Sequence, residues 1–447
     1  MAEQLLSLGL DVGTTTTQLV LSRLTVENQA SAFTVPKMEI TQRQVIYRSP
    51  IRFTPLIREE LVDGEAIARM VEEEYRAAGI DRAQVDTGAV IITGETSRKE
   101  NAASVLAAVS GMAGEFVVAT AGPDLESVLA AKGAGAASWS EKSGRPVLHM
   151  DIGGGTSNLA LIEKGEIKAT ACLNVGGRLV KLEGDKVSYV SPVLAGLTDI
   201  APGQSLTRER ARPLARKLAE VLEMAAGLRP RTEDFYGLTT GGTVPLEAPA
   251  DVLLSFSGGV AACMECKALW NAYGDLGPLL AEAILESRLC QGDYRLGEET
   301  IRATVIGAGC HSAQLSGSTV FCENVDLPLK NLPVASPGEN ETAQITAALE
   351  GLDGPGVLWL ETPPAPSYAY VSTLADRVAG ALGDRPCYIA LRADMAKALG
   401  GALRLRLGES RPILCIDSVD LPAHCYLDVG RPVGPALPVV VKTLAFG

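Results

Sequence analysis

Two stretches of the sequence repeat one pattern, Leu8-Gly9-Leu10-Asp11-Val12-Gly13-Thr14-Thr15-Thr16-Thr17 and His149-Met150-Asp151-Ile152-Gly153-Gly154-Gly155-Thr156-Ser157-Asn158. Each begins with an apolar run that ends in an Asp, continues into a glycine-rich turn with hydroxyl residues, and is followed by a second apolar run. The pattern predicts a strand, a tight turn and a second strand. One such turn is a weak signal, but two matched turns far apart predict two facing halves of one phosphate-binding site.

The composition is that of a folded chain of several domains. Of 447 residues, 47% are hydrophobic and 21% charged, and a chain of this length predicts roughly three domains. The net charge of −13 disfavours a nucleic-acid groove or an anionic membrane surface as partner. We see no apolar run long enough to span a bilayer and no basic start of a signal peptide, so we expect no membrane association. The nine scattered cysteines predict a reduced, cytoplasmic protein.

The same order of elements is predicted twice. In the first half we expect strands over 5–12, 18–24, 45–47, 90–93 and 116–119, and helices over 63–78 and 124–137. After a polar linker over 138–146, the second half predicts strands over 146–152, 158–163, 166–173, 251–257 and 301–307, with an amphipathic helix over 208–226. Each half therefore runs three strands, helix, strand, helix, strand, which is the duplicated order of the actin-like, ribonuclease-H-type ATPase fold.

A third unit follows the proline-rich stretch over 328–339, which we interpret as a boundary. Strands are expected there over 356–361, 386–392 and 411–417, alternating with helices near 370–383 and 394–401. The predicted fold class is thus α/β, a duplicated actin-like fold with an additional C-terminal α/β unit. The predicted division is a first lobe over 1–140, a second lobe over 141–327 and the C-terminal unit over 328–447.

The two glycine-rich turns carry the predicted chemistry. Backbone N–H groups of Gly13, Thr14 and Thr15 would form an anion-binding nest for phosphate oxygens. Asp11 would hold Mg²⁺, through water because Mg²⁺ keeps several waters. Asp151 would do the same from the other side, with phosphates held by Gly153, Gly154, Gly155 and Thr156. The alternative is two plain β-hairpin turns with an Asp in each, which the matched context makes the weaker interpretation.

Two further glycine pairs are candidates for nucleotide contact. Gly176-Gly177 would open a helix whose amides approach a phosphate, although a simple strand-to-helix turn is the favoured explanation. Gly258-Gly259 would lie flat against adenine or ribose, because glycine has no Cβ to block a planar ligand. Gly307-Ala308-Gly309 competes for that adenosine role.

Other residues have weaker assignments. The helix over 124–137 is rich in small residues, which suits a hinge between lobes, with a plain buried helix as an equal alternative. Glu126 or Asp124 near its start would position the attacking water. Arg98 and Lys99 would reach the γ-phosphate, although a solvated helix cap is the preferred interpretation there. His149 shares the strand face of Asp151 and is interpreted as a buried strand residue.

The order of these motifs resembles the actin, heat-shock chaperone and sugar kinase superfamily. More closely, the chain resembles the EutA-type reactivating factors of ethanolamine ammonia-lyase. The residues that carry this resemblance are Gly9–Thr17, Thr93-Gly94-Glu95-Thr96-Ser97-Arg98-Lys99-Glu100-Asn101 and Leu437–Leu444, so it extends over nearly the whole chain.

The resemblance implies an ATP-dependent chaperone with ATP and Mg²⁺ as cofactors. The partner would be the ethanolamine ammonia-lyase holoenzyme, in which damaged cobalamin is exchanged for intact adenosylcobalamin. Asp11 and Asp151 would serve as catalytic and metal residues, and ATP hydrolysis would rotate the lobes about the helix over 124–137. For the lysine that heat-shock chaperones place on the γ-phosphate, the candidates in this sequence are Lys99 and Arg98.

Two rival functions stay open at this stage, a small-molecule kinase and an actin-like scaffold protein. The C-terminal unit would dock the client, form a homodimer or brace the core. For localisation, the resemblance adds association with the ethanolamine bacterial microcompartment to the expected cytoplasmic location.

Overall fold

The structure is a computed structural model, and its three largest sheets have five, five and eight strands. It describes residues 3–13, 16–28, 38–58, 61–93, 105, 123–240, 246–249, 251–266, 268–311, 313–316, 319–352, 354–419, 421, 425–432 and 436–443. The expected strand over 116–119 and the cations Arg98 and Lys99 lie outside these residues.

The first sheet contains the N-terminal hairpin. Its elements are β1 (Glu3–Val12), β2 (Thr16–Asn28), β3 (Met38–Arg48), β4 (Arg52–Phe53), the small pair β5 (Leu56–Arg58) and β6 (Leu61–Val62), α1 (Gly64–Ala78) and β7 (Thr87–Ile92). The strand order is β3-β2-β1-β7, with β1 antiparallel to β2 and parallel to β7. The helix expected over 63–78 is present as α1, and the Asp63 side chain caps it by accepting from the backbone N–H of Ala66 at 2.9 Å.

The second sheet repeats this arrangement. Its elements are α2 (Pro123–Gly133), α3 (Ala136–Ser143), β8 (Val147–Ile152), β9 (Ser157–Glu163), β10 (Glu166–Leu173), the pair β11 (Val180–Glu183) and β12 (Lys186–Val190), α4 (Arg208–Ala225), α5 (Glu233–Leu238), β13 (Leu253–Ser257), α6 (Gly258–Glu265), α7 (Gly277–Glu286), β14 (Tyr294–Leu296) and α8 (Ala303–His311). The strand order is β10-β9-β8-β13-β14, with β8 antiparallel to β9 and parallel to β13. The antiparallel meander with a parallel strand beside its first member therefore occurs twice, which confirms the predicted duplicated fold class.

Three predictions for this region need correction: the end of one helix, the linker and one strand. The small-residue helix expected over 124–137 ends at Gly133, because Gly135 adopts a left-handed φ of 79°. A second helix, α3, then occupies most of the stretch expected to be a linker. The strand expected over 301–307 is the helix α8, and β14 takes the corresponding place in the sheet.

Helices α2 and α8 form the layer between the two sheets. A Cβ at Gly133 would lie 1.9 Å from the carbonyl oxygen of Ala303, and one at Gly307 would lie 2.0 Å from that of Leu129. A Cβ at Gly9 of β1 would lie 2.3 Å from the carbonyl oxygen of Val305. Only glycine permits these approaches, so α8 packs closely on both the first sheet and α2.

The third sheet has eight strands. Its elements are β15 (Ala313–Leu315), β16 (Phe321–Glu323), β17 (Leu329–Ala335), α9 (Thr342–Glu350), β18 (Val357–Leu360), α10 (Tyr368–Ala381), β19 (Cys387–Leu391), α11 (Ala396–Leu407), β20 (Ile413–Ile416), β21 (Cys425–Val429) and β22 (Pro438–Thr443). The strand order is β15-β22-β21-β17-β18-β19-β20-β16. The strands and helices expected after residue 355 are present.

The proline-rich stretch over 328–339 contains the interior strand β17, and β15 and β16 of the same sheet come before it. The division at residues 140 and 327 stays a prediction. In the part of the chain that the structure describes, no helix combines the length and apolar character that a membrane span needs.

Candidate functional site

The first hairpin places Asp11 at the end of β1. Its turn is closed by a hydrogen bond from the Gly13 N–H to the Thr16 carbonyl oxygen at 3.0 Å. The Thr54 hydroxyl donates to the Gly13 carbonyl oxygen at 2.7 Å and so fixes the turn from outside. The other predicted phosphate residues of this turn, Thr14 and Thr15, lie outside the described residues.

The second hairpin has the same closing hydrogen bond. The Gly153 N–H donates to the Thr156 carbonyl oxygen at 2.9 Å, so both hairpins are closed at equivalent positions. Gly155 at its tip is exposed, and a Cβ built on it would meet no atom within 4 Å. A ligand can therefore approach the backbone of this turn closely.

Gly176 and Gly177 support the second hairpin from beneath. They do not open a helix as expected, because β11 follows them. A Cβ at Gly176 would lie 2.3 Å from the Gly154 carbonyl oxygen, and the Gly177 N–H donates to the Gly153 carbonyl oxygen at 3.1 Å. The Gly177 amide is thus engaged within the protein, and the pair acts as a base for the turn.

Asp151 is buried and held by two hydroxyls that the sequence analysis did not assign. Ser257 at the end of β13 donates a short hydrogen bond to Oδ1, and Thr304 of α8 donates to Oδ2 at 3.4 Å. Burial raises the pKa of Asp151 to about 6, and both hydroxyls oppose that rise.

His149 extends this network away from the site. It is fully buried, its Nε2 lies 2.9 Å from Ser257 Oγ, and its Nδ1 lies 3.1 Å from Ser255 Oγ. The single hydroxyl proton of Ser257 goes to Asp151, so His149 must donate from Nε2 and accept at Nδ1 from Ser255. Burial lowers the pKa of His149 to about 3, which keeps the ring neutral and confirms its interpretation as a buried strand residue.

The structure brings the two predicted metal residues together. Asp11 Oδ1 accepts from the Thr93 hydroxyl at 2.8 Å. Burial raises the pKa of Asp11 to about 7, the Thr93 hydrogen bond opposes this, and repulsion from Asp151 adds to it. Gln18, the strand partner of Asp11, donates to the Ile301 carbonyl oxygen, and Thr304 three residues later donates to Asp151, so the ends of β1 and β8 face the same space.

Gly258 and Gly259 begin α6 beside the second hairpin. Gly258 has a left-handed φ of 90°, and its Cβ would lie 2.4 Å from the Ile152 carbonyl oxygen. Gly259 is partly exposed, with no atom within 4 Å of a built Cβ, so it presents the open face expected for a planar ligand. The competing candidate Gly307-Ala308-Gly309 is wrong as a turn, because it lies inside α8.

Glu126 is not brought to the two carboxylates. Helices α2 and α8 run antiparallel, with Gly133 opposite Ala303 and Leu129 opposite Gly307. Thr304 reaches Asp151 from the first turn of α8, whereas Glu126 lies one turn beyond Leu129, toward the other end. The nearby Asp124 accepts a hydrogen bond from Thr170 of β10 at 2.5 Å. A water-positioning role for Glu126 stays a prediction.

Some functional residues escaped the sequence analysis for identifiable reasons. Thr93 is the polar residue after a predicted buried strand, and Ser257 ends another predicted strand just before a glycine pair. Their position at the end of a strand was the feature of the sequence that could have predicted their role. Thr304 was hidden in a stretch predicted as a strand. Arg178 also lies at the second hairpin, where its side chain packs beside Gly154 and its Nη1 lies 3.9 Å from Asp275 Oδ2.

Known proteins of similar sequence match the whole chain. The ethanolamine ammonia-lyase reactivase EutA of Escherichia coli (strain K12) is 40% identical over 468 residues, and that of Salmonella typhimurium is 39% identical over 469; each match covers 99% of both chains. Among solved structures, a Ppx/GppA family member of Aquifex aeolicus matches with 13% identity and a TM-score of 0.42, covering 68% of this chain and 97% of that one. EutJ of Carboxydothermus hydrogenoformans matches with 19% identity and a TM-score of 0.34, covering 69% and 89%.

A family model described as ethanolamine utilisation protein EutA matches residues 3–447. Together with the identity to curated members over their full length, this match gives the assignment. The chain belongs to the EutA family.

Proposed function

We propose that this chain is an ATP- and Mg²⁺-dependent reactivating factor for ethanolamine ammonia-lyase. The relatives that match over their full length are named as reactivases of that enzyme. In this proposal the chain drives the exchange of damaged cobalamin for intact adenosylcobalamin in the lyase holoenzyme.

The observation that carries the ATP dependence is the convergence of two equivalent hairpins from two sheets. Their closing hydrogen bonds match. The segment that opens α8 links the two Asp residues, since Ile301 accepts from Gln18 opposite Asp11 and Thr304 donates to Asp151. Two anionic side chains with raised pKa values form an unfavourable arrangement without a cation, so the site is built for a positively charged ligand.

Mg²⁺ fits this pair of carboxylates. Among the described residues no cluster of three or more His, Cys, Asp or Glu side chains is placed to hold a metal. Mg²⁺ instead binds through one or two carboxylates together with water and substrate phosphates. Asp11 and Asp151 would hold it, and the ion would neutralise phosphate charge during hydrolysis.

The remaining parts of the site suit the rest of the nucleotide. The open backbone at Gly155 would receive the terminal phosphates, since backbone N–H groups of such turns bind anions. Gly259, which is partly exposed and unobstructed, would lie against the adenosine.

Helix α8 would couple the nucleotide to the relative position of the lobes. It contacts Asp151 of the second sheet through Thr304 and packs on Gly9 of the first sheet. Loss of the γ-phosphate would remove a contact shared by both hairpins, and the lobes would then rotate about the layer formed by α2 and α8. This rotation would open the lyase for cofactor exchange.

Reactivation of the lyase tests the proposal. Ethanolamine ammonia-lyase inactivated with hydroxocobalamin is incubated with the chain, ATP, Mg²⁺ and fresh adenosylcobalamin, and deamination is followed. We expect recovery with the wild type and with Asp384→Ala, which removes an exposed carboxylate of the C-terminal unit, and none with Asp11→Ala. Absence of recovery with the wild type, or recovery that does not need ATP, would contradict the proposal.

A further inference from the structure

An amide side chain stands directly opposite the Asp of each hairpin. In the antiparallel pairing of β1 with β2, Asp11 is the partner of Gln18. In the pairing of β8 with β9, Asp151 is the partner of Asn158. Residues paired in this way point to the same face of their sheet, so each carboxylate has one amide as its neighbour.

Both amides leave a buried oxygen without a partner. Gln18 is 5% exposed and Asn158 is 2% exposed, and neither Gln18 Oε1 nor Asn158 Oδ1 has a hydrogen-bond donor among the described residues. The orientation of Gln18 is fixed, since its Nε2 donates to the Ile301 carbonyl oxygen at 3.3 Å. Buried polar atoms are nearly always paired, so two orphaned oxygens at equivalent positions require a common explanation.

The two pairs face each other across the central helix layer. Asp11 and Gln18 share the face of the first sheet on which Gly9 contacts α8. Asn158 shares the face of the second sheet on which Ala160 packs with Ala131 of α2. The carboxylates and the amide oxygens therefore approach the space between the sheets from opposite sides.

We propose that Gln18 Oε1 and Asn158 Oδ1 accept hydrogen bonds from water molecules that hydrate Mg²⁺ between Asp11 and Asp151. This inference rests on the proposed function, because it requires a magnesium nucleotide at the hairpins. A water molecule that binds Mg²⁺ through its oxygen can only donate hydrogen bonds to the protein, so it needs an acceptor there. Mg²⁺ keeps several such waters. Amide oxygens supply acceptors without adding charge beside two carboxylates that already repel each other.

The alternative is that the amides only fill space, and the two interpretations predict opposite effects of removing them. Gln18→Met and Asn158→Leu replace each amide with an apolar group of similar size. Thr87→Val is the matched control: Thr87 is fully buried in the first sheet, its hydroxyl has no partner among the described residues, and it pairs with Ser7, far from Asp11.

The test measures ADP affinity by calorimetry with and without Mg²⁺, and thermal unfolding of the free protein. We expect each amide variant to unfold at the same or a higher temperature and to bind ADP with Mg²⁺ roughly five- to tenfold more weakly, about 1 to 1.4 kcal/mol for one lost hydrogen bond. ADP affinity in EDTA should not change. Thr87→Val, which removes a buried hydroxyl far from the site, should keep the magnesium-dependent affinity fully.

Each amide variant tests the proposal by itself, so failure of one to fold leaves the other decisive. If the wild type binds ADP with Mg²⁺ and a folded Gln18→Met or Asn158→Leu protein binds it equally well, the amides only fill space and the inference is wrong while the proposed function stands. A wild-type chain that binds ADP with no dependence on Mg²⁺ overturns both.

Discussion

Asp11→Asn is expected to stabilise the free protein and to abolish its magnesium-dependent nucleotide binding. Asparagine keeps the shape of the side chain and an oxygen that accepts from Thr93, but it removes the charge that Asp151 repels. An uncharged side chain at position 11 therefore favours the ligand-free fold, whereas an ionised carboxylate favours ligand binding.

The magnitude follows from the pKa of Asp11, which rises from 3.8 to about 7. A carboxyl whose pKa is raised by folding is stabilised by its proton, so the wild type loses stability as the pH rises through the interval between these two values. Asn does not titrate. The difference in unfolding free energy between variant and wild type should thus be near zero below pH 4 and grow by at most about 1.4 kcal/mol per pH unit. It should level off above pH 7 at roughly 4 kcal/mol.

The assay is urea unfolding of both proteins at pH 4, 5.5 and 8 in EDTA, repeated at pH 8 with Mg²⁺ and ADP. Addition of the ligand should shift the wild-type midpoint upward and leave the variant unchanged, because only the ionised carboxylate holds the ion. A variant that is less stable than the wild type at pH 8 in EDTA would refute the reasoning. It would mean that a cation of the protein itself already neutralises Asp11.

Three further substitutions test the framework around the site. Gly176→Ala should lower the free energy of unfolding by about 1–3 kcal/mol because its Cβ would clash with the second hairpin, whereas Gly155→Ala in open space should not; equal unfolding free energies in urea would contradict the buttressing role. Gly307→Ala should cost at least as much by forcing α2 and α8 apart, while Gly401→Ala, in an unobstructed helix position, should gain about 0.5–1 kcal/mol; a gain at both positions would show that the helices are not in close contact. Ser257→Ala should lower the free energy of unfolding by about 1–3 kcal/mol, because it leaves the buried Nε2–H of His149 without its acceptor. Urea unfolding that matches the wild type would argue against the hydrogen bond from His149 to Ser257.

The sequence predicted the hairpins well because their chemistry is local. A strand that ends in Asp, a glycine turn and a return strand follow one another along the chain, so the sequence pattern alone predicts the hairpin in which Asp11 pairs with Gln18. Helix α1 could be predicted equally well from the sequence, since its apolar periodicity and the capping residue Asp63 lie within one short segment.

The central helix α8 was missed because the contacts that favour a helix there involve residues far away in the sequence. Residues 301–307 form a short apolar run with β-branched side chains, which does not distinguish a strand from a buried helix. What makes this segment a helix in the structure is its contact with Gly133 and Gly9, which are far away in the chain. The glycines of α8 were read as a turn for ligand contact, whereas they permit backbones to approach.

The residues that support the two hairpins show why duplication is visible at some positions only. The Asp, the turn glycine and the amide opposite the Asp recur in both halves, because one ligand would impose the same geometry on both. One supporting hydroxyl occupies the equivalent place in both halves: Thr93 follows β7 beside β1, and Ser257 ends β13 beside β8. Thr304 of α8 supplies a second hydroxyl to Asp151. Helix α8 lies outside the repeated strands, so the duplication gives no reason for the Thr304 contact to recur. Repetition in the sequence therefore marks positions at which the two halves would hold the same ligand, whereas a contact from an element outside the repeat has to be found in the structure.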